Sequence, residues 1–389
     1  MYIKMLIGFD GTLLDSETGI GYYSYNLLQS ISDFSVAHWF KVFVSPKVSK
    51  KIDFLKKFSI LPTYGKIRLY HSNWHVLKTI LKEKLTLYHS VDNITLPLIK
   101  LCKYVITVHD LVPILYPNTV SKLHTLSYYL CFRRITEIAD IIITVSENTK
   151  RDLIRLFKVP EEKIRVIYNG YDKKTFRILD ESEAIARIKL KYKIDTPSYL
   201  LYVGALEPKK NLVRLIDAYY ELIKTNRDLR NNYKLVIVGK KAWMYKNIFK
   251  EVKRLGIESH IIFTGFVPQE DLVYLYNGAK LFLFPSIYEG FGLPVLEAMA
   301  CGVPVITSNI SSLPEITGDA ALLVNPLDPK EITKAILRLL YDEQLYLRLK
   351  QNGPKQAQKF SWERCAYETL KTYLEVLASY QIVIKNEAF

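Results

Sequence analysis

Cysteine is scarce in this 389-residue chain. The four that occur, Cys102, Cys131, Cys301 and Cys365, stand far apart with no Cys-x-x-Cys spacing. A disulfide framework and a zinc-ligand pattern are therefore both missing, which fits a reducing compartment. No uninterrupted apolar run is long enough to cross a bilayer. The first ten residues, Met1 to Asp10, are too short an apolar stretch for a signal peptide and read instead as a first strand. Internal repeats and low-complexity stretches are also lacking. Acidic residues are in deficit, 39 against 54 basic ones, and the chain carries a net charge of +15. Nucleic acid, an anionic membrane surface and anionic substrates would each fit that excess. No RNA-binding signature is visible, which leaves nucleic acid the weakest of the three.

With 49% hydrophobic and 24% charged residues the chain is globular rather than disordered, and its length suits two domains. Short β-branched or aromatic runs alternate with helical patterns. In the first half they are Ile3–Phe9, Lys41–Val44, Leu85–Tyr88, Tyr104–Val108, Ile141–Val145 and Arg165–Ile167. In the second they are Leu200–Val203, Leu235–Val238, Ile261–Phe263, Leu281–Phe284, Val303–Ile306 and Leu322–Val324. Continuous apolar runs separated by helices predict buried parallel sheets, here two doubly wound α/β domains. The break is expected near Arg177–Thr196, where the stretch from Leu179 reads as a charged linking helix. Domains are expected over 1–180 and 181–362, with 363–389 as a C-terminal helix.

The densest chemical signal is Ser286 to Val305, SIYEGFGLPVLEAMACGVPV. Gly290 and Gly292 allow a sharp turn and close approach of a ligand to the backbone. Pro294 suits the first position of a helix, and Glu297 is then expected on its first turn. A helix N-terminus beside Glu289 and Glu297 suits a ligand that is anionic at one end and rich in hydroxyls at the other. A nucleotide-diphosphate sugar is such a ligand. A second strand-to-helix loop, Val203 to Leu212, carries Lys209 and Lys210 where a helix begins, an unfavourable place for cations unless an anion neutralises them. Gly19 and Gly21 follow the first strand and let backbone amides reach a ligand. His109 and Asp110 end another strand. Basic clusters occur from Lys47 to Lys57, with Phe54, Leu55 and Phe58 interleaved, and at Arg133 and Arg134. They read equally as a solvated face or as membrane contact.

The stretch from Glu289 to Val305 resembles the retaining family-4 glycosyltransferases of the GT-B fold, whose signature is E-G-F-G-L-P-x-L-E-A-M-A-x-G-x-P-V. Further matches are Gly204 to Asn211, where Lys209 replaces the family's Arg, the pair His109-Asp110, and Asn169-Gly170-Tyr171-Asp172. Tyr22 stands where the family has Arg, which puts the anion-binding share of that loop in doubt. The resemblance implies two Rossmann-like domains facing across a cleft, the C-terminal helix crossing back to the first, and a retaining transfer of a hexose. It gives Glu289 the donor sugar, Glu297 the ribose, and Lys210 and Lys209 the phosphates. The amides of Gly292 and Leu293 would hold the diphosphate, with Gly290 and Phe291 in the same loop. Phe266 would lie along the base, and His109 beside the reacting sugar.

The branch resembled includes mannosyltransferases of polysaccharide assembly, so GDP-mannose is the favoured donor. A glycan or lipid-linked acceptor at the cytoplasmic membrane face is then expected, and no other cofactor. Metal-independent catalysis is expected because no two aspartates stand at Asp-x-Asp spacing. Phe9 to Ser16 imitates the start of a phosphatase motif, but Gly8 occupies the place of its nucleophilic Asp. The alternatives are a nucleotide-sugar epimerase of the same fold and a non-catalytic sugar-nucleotide-binding subunit.

Overall fold

The computed structural model describes residues 5–16, 18–63, 71–92, 97, 99–117, 122–180 and 182–387. The start of the first expected strand, at Ile3, lies outside them. Two compact units emerge, Met1–Gly170 with Ser361–Phe389, and Tyr171–Phe360.

The described residues of the first unit form a parallel sheet of β1 (Ile7–Asp10), β2 (Phe40–Val44), β3 (Ser59–Pro62), β4 (Leu87–Ser90), β5 (Lys103–Val108), β6 (Ile141–Thr144) and β7 (Ile164–Val166). Their order is β3-β2-β1-β4-β5-β6-β7. The register pairs Tyr88 with Tyr104 and Ile106 with Ile142, so these side chains share one face. That face forms a single core with Val76 and Ile80 of helix His71–Glu83 and with Phe132, Ile135 and Ile138 of helix Lys122–Ile138. The opposite face presents His89 and Thr107 to Tyr23 of helix Gly19–Ile31 and to Tyr373 of helix Trp362–Glu387. With helices on both faces the inner strands are buried, which is why they appear in the sequence as unbroken apolar runs.

In the second unit β8 (Ser198–Val203), β9 (Tyr233–Val238), β10 (Ile261–Gly265), β11 (Leu281–Phe284), β12 (Val305–Ser308) and β13 (Ala321–Val324) pair in parallel, in the order β10-β9-β8-β11-β12-β13. The strand order reverses beside β8, which puts a ligand crevice at the C-terminal ends of β8 and β11.

The units divide at Gly170 rather than near residue 180. Residues after Gly170 pack into the second unit. The Phe176 ring meets Tyr276 at 5.8 Å, and the Asn277 side chain bonds the Arg177 carbonyl and the Leu179 amide. The return falls before Ser361 rather than after Trp362, because the Trp362 ring packs edge-on against Tyr22 and Tyr23. No helix among the described residues is long and apolar enough to cross a membrane.

Candidate active site

At the crevice of the second unit, Lys210 and Glu289 meet. Lys210 Nζ lies 2.6 Å from Glu289 Oε1, and both side chains are about nine-tenths buried, at 11% and 9% exposure. Each comes from a loop at the end of a switch-point strand, Lys210 after β8 and Glu289 after β11. Asn211 couples the two loops. It adopts a left-handed conformation, and its Nδ2 donates to the Pro285 and Pro326 carbonyls at 2.9 and 2.6 Å. The Ile287 amide donates to the Lys209 carbonyl at 2.8 Å, and the Ser286 Oγ lies 3.0 Å from the same carbonyl. The anion expected to neutralise Lys210 is therefore already part of the protein. The Lys210 ammonium also stands 4.9 Å over the Phe284 ring. Lys209 Nζ lies 3.7 Å from Glu207.

A shell of serines fixes Glu289. Ser286 Oγ donates to its Oε1 at 2.6 Å. Ser311 Oγ accepts from the Glu289 amide at 2.9 Å and donates to its carbonyl at 2.7 Å. Ser312 Oγ reaches the carbonyls of Glu289 and Phe291 at 3.0 and 2.7 Å. This shell and the part played by Asn211 go beyond what the sequence predicts. Isolated serines carry no periodic signal, though the Asn was visible in the matched loop.

Gly290, Phe291 and Gly292 lead into helix Leu293–Ala300. Gly292 has φ 116°, a conformation that favours glycine, and an added Cβ would fall 2.8 Å from Leu313 Cδ2. Leu293 opens the helix, so Pro294 is its second residue rather than its first. Glu297 correspondingly lies beyond the first turn, and no acidic residue occupies that turn. Its carboxyl is buried beside Tyr276, 3.1 Å from the Tyr276 hydroxyl. Burial pushes its pKa up to about 8; Tyr276 opposes the shift and Asp172 adds to it. Glu297 is therefore largely a neutral acid at pH 7, able to donate a hydrogen bond as well as accept one.

Phe266 is half exposed, at 52%, with the Lys240 ammonium 4.3 Å over its ring. The loops after β8, β9 and β10 are laced together. The Gly239 amide donates to the Gly265 carbonyl at 2.8 Å, and the Leu206 amide to the Lys240 carbonyl at 2.9 Å.

The first unit holds the remaining expected residues. Gly19 opens helix Gly19–Ile31, capped by Thr18, whose hydroxyl accepts from the Gly21 amide at 3.2 Å. An added Cβ at Gly19 would meet nothing within 4 Å, whereas one at Gly21 would collide with the carbonyl oxygens of Ser16 and Leu13. The loop's own packing thus explains Gly21, and only Gly19 is open to an approaching ligand. The ring of His109 contacts Tyr23 edge-on at 4.8 Å, and its buried Nε2 has no hydrogen-bond partner. Burial lowers its pKa to about 4, against smaller raising effects from Asp110 and the Val91 backbone. His109 is therefore neutral at pH 7. Asp110 accepts from the Val112 amide at 3.1 Å, capping the following turn.

The two basic clusters differ. In Lys47–Lys57 the interleaved apolar residues face inward: Leu55 and Phe58 are buried, and Phe54 packs on Tyr25 and Phe58. Lys56 is held by Asp53 and Lys57 by Asp33. Arg133 and Arg134 lie on the exposed side of helix Lys122–Ile138.

Comparison with known proteins agrees with this geometry. Residues 185–356 match the family described as "Glycosyl transferases group 1", and residues 35–175 match "Glycosyltransferase Family 4". An O-antigen chain mannosyltransferase B of Escherichia coli is 36% identical over 294 residues, covering 74% of either chain. Sucrose-phosphate synthase of Thermosynechococcus elongatus superposes with a TM-score of 0.79 over 96% of this chain and 100% of that one, at 23% identity. HepE of Anabaena, solved with UDP-glucose, gives 0.76 over 95% and 100%, at 20% identity. The chain belongs to the group 1, family 4 glycosyltransferases, with the GT-B fold of two Rossmann-like units. It is a hexosyltransferase enzyme.

Proposed function

We propose that the enzyme moves a hexose, mannose from GDP-mannose in the first instance, to a glycan or lipid-linked acceptor in polysaccharide assembly, with retention at the anomeric carbon and no metal. The observation that carries the donor side is the Lys210–Glu289 pair at the switch point, beside the N-terminus opened by Gly292 and Leu293. Similarity to the Escherichia coli mannosyltransferase favours mannose.

On this reading Lys209, Lys210 and the amides of Gly292 and Leu293 balance the charge that grows on the departing diphosphate. Glu289, fixed by Ser286 and Ser311, holds the sugar hydroxyls. Glu297, neutral near pH 7, meets the ribose, and Phe266 lines the base. The bond between the anomeric carbon and the phosphate oxygen breaks, and the acceptor oxygen bonds to that carbon from the same face. The leaving phosphate oxygen takes the acceptor's proton. His109, neutral and with Nε2 unpartnered, orients a sugar hydroxyl. Peripheral contact with the inner face of the cell membrane would bring a lipid-linked acceptor within reach.

A screen of nucleotide sugars by thermal shift, followed by turnover assays with NMR of the product, tests this. GDP-mannose is expected to raise the melting temperature most, since a ligand of the folded state stabilises it, and to give an α-linked product. Epimerised nucleotide sugar, or tight binding without turnover, would replace the proposal with the epimerase or the binding subunit.

A further inference from the structure

Helices His71–Glu83 and Lys122–Ile138 cover the same face of the first sheet, and their outer sides are unlike an ordinary solvated surface. Trp74, Lys78 and Leu81, spaced as one helical stripe, are exposed, Trp74 to 64% and Leu81 to 62%. On the second helix Leu126, Tyr129 and Leu130 form a stripe, with Leu126 at 61% and Leu130 at 58%, followed on the same side by Arg133 and Arg134. Apart from Ile99, Leu101, Tyr367 and Leu374, the exposed large apolar side chains described for this unit all lie on these two helices. Lys82 and Lys84 border the first stripe. The acid beside the arginines is Glu137, shared by Arg133 and Arg134 at 3.6 and 3.3 Å, so the excess stays positive. Both helices start from the C-terminal side of the sheet, after β3 and β5, and Trp74 and Leu126 stand near those starts. That is the side on which His109 follows β5.

We propose that this face docks the protein on an anionic lipid bilayer, with Trp74, Leu81, Leu126 and Leu130 entering the interface and Lys78, Lys82, Arg133 and Arg134 meeting headgroup phosphates. Exposed apolar stripes flanked by basic side chains have the chemistry of an interfacial surface, and the net charge of +15 draws the whole chain toward negative lipid. The Lys47–Lys57 cluster takes no part, because its apolar residues already pack inward. The inference rests on the proposed lipid-linked acceptor and specifies which surface would reach it.

Sedimentation of the full chain with phosphatidylglycerol/phosphatidylcholine vesicles tests it. The wild-type chain is expected to bind these vesicles, to bind pure phosphatidylcholine at least tenfold more weakly, and to dissociate at high salt. The variants Trp74→Ser/Leu126→Ser/Leu130→Ser and Arg133→Glu/Arg134→Glu are each expected to lose at least tenfold in vesicle affinity. Both should keep the wild-type melting temperature and the wild-type rate of nucleotide release from a soluble donor. That rate reports the transfer reading separately: vesicle binding without turnover would remove the function and leave the docking face standing. Unchanged vesicle binding by both variants, no binding by the wild type, or self-association in solution abolished by the same substitutions would overturn the proposal.

Discussion

The strand ends of the second unit hold charged side chains in pairs, whereas those of the first hold aromatic rings around neutral histidines. Lys210 and Glu289 neutralise one another and are further fixed by Ser286. His109 leans on Tyr23, with Asp110 only weakly opposing the effect of burial, and His89 bonds Tyr373 and Thr107. The first arrangement stabilises charge; the second keeps a ring in place without inviting a proton. Both depend on burial, yet burial acts in opposite directions on their titratable groups. It holds His109 at about 4 and His89 at about 3, and lifts Glu297 to about 8.

The largest expected effect lies in the charged cluster. Lys210→Ala and Glu289→Ala should each reduce kcat by roughly 10²–10³-fold, the range for removing one preorganised electrostatic contact. Either change also leaves a buried charge without its counter-ion, a loss of about 3–5 kcal/mol in comparable pairs. Glu289→Gln, which keeps an acceptor for Ser286, should be milder in denaturant melts while still depressing turnover. Near-normal rates in both alanine variants would break the contrast between the units.

Backbone geometry gives the next effects. Gly21→Ala sets a methyl group against two fixed carbonyls and should cost about 1–3 kcal/mol of stability in the first unit. Gly292→Ala adds a positive-φ penalty to a contact with Leu313 and should cost a similar amount in the second. Urea melts followed by probes in each unit would show whether the losses stay in the unit that carries the substitution.

Acidification sharpens the comparison further. A histidine held below its ordinary 6.5 contributes stability that is present above that value and lost as pH falls toward its folded pKa. Glu297, raised from its ordinary 4.5, contributes below 4.5 and loses that contribution as pH rises through about 8. Asp217, pushed to about 6 by burial and Glu251, acts in the same sense, and the partly buried His260 opposes both. Moving from pH 7.5 to 5 should therefore weaken the first unit and strengthen the second. Hydrogen exchange resolved by segment and corrected for intrinsic rates would detect this, and Glu297→Gln should flatten the response of the second unit. The smallest effect belongs to Gly19→Ala, expected to stay within about 0.5 kcal/mol of wild type in stability, so any fall in its activity would come from ligand approach.

Much of this was legible in the sequence because buried parallel strands announce themselves as continuous apolar runs. β3 was not. It is a half-exposed edge strand ending in Pro62, and neither its composition nor its length separates it from a loop. Glu289, Gly292 and Lys210 stood out in their own segments, but nothing local could say that Lys210 and Glu289 would pair, because 79 positions separate them. The place of Glu297 beyond the first helical turn was hidden for a smaller reason. Pro294 fits either of the first two helical positions, and a shift of one residue moves every later side chain by a hundred degrees.

The C-terminal helix gives synthesis an unusual order. His89 bonds Tyr373 across 284 positions of chain, and Trp362 packs beside Tyr23. The N-terminal sheet therefore leaves the ribosome with one of its covering layers still untranslated, and it must wait for the helix that begins at Trp362. Tyr171–Phe360 is contiguous and leaves the ribosome before that helix does, so the half made later can bury its core first.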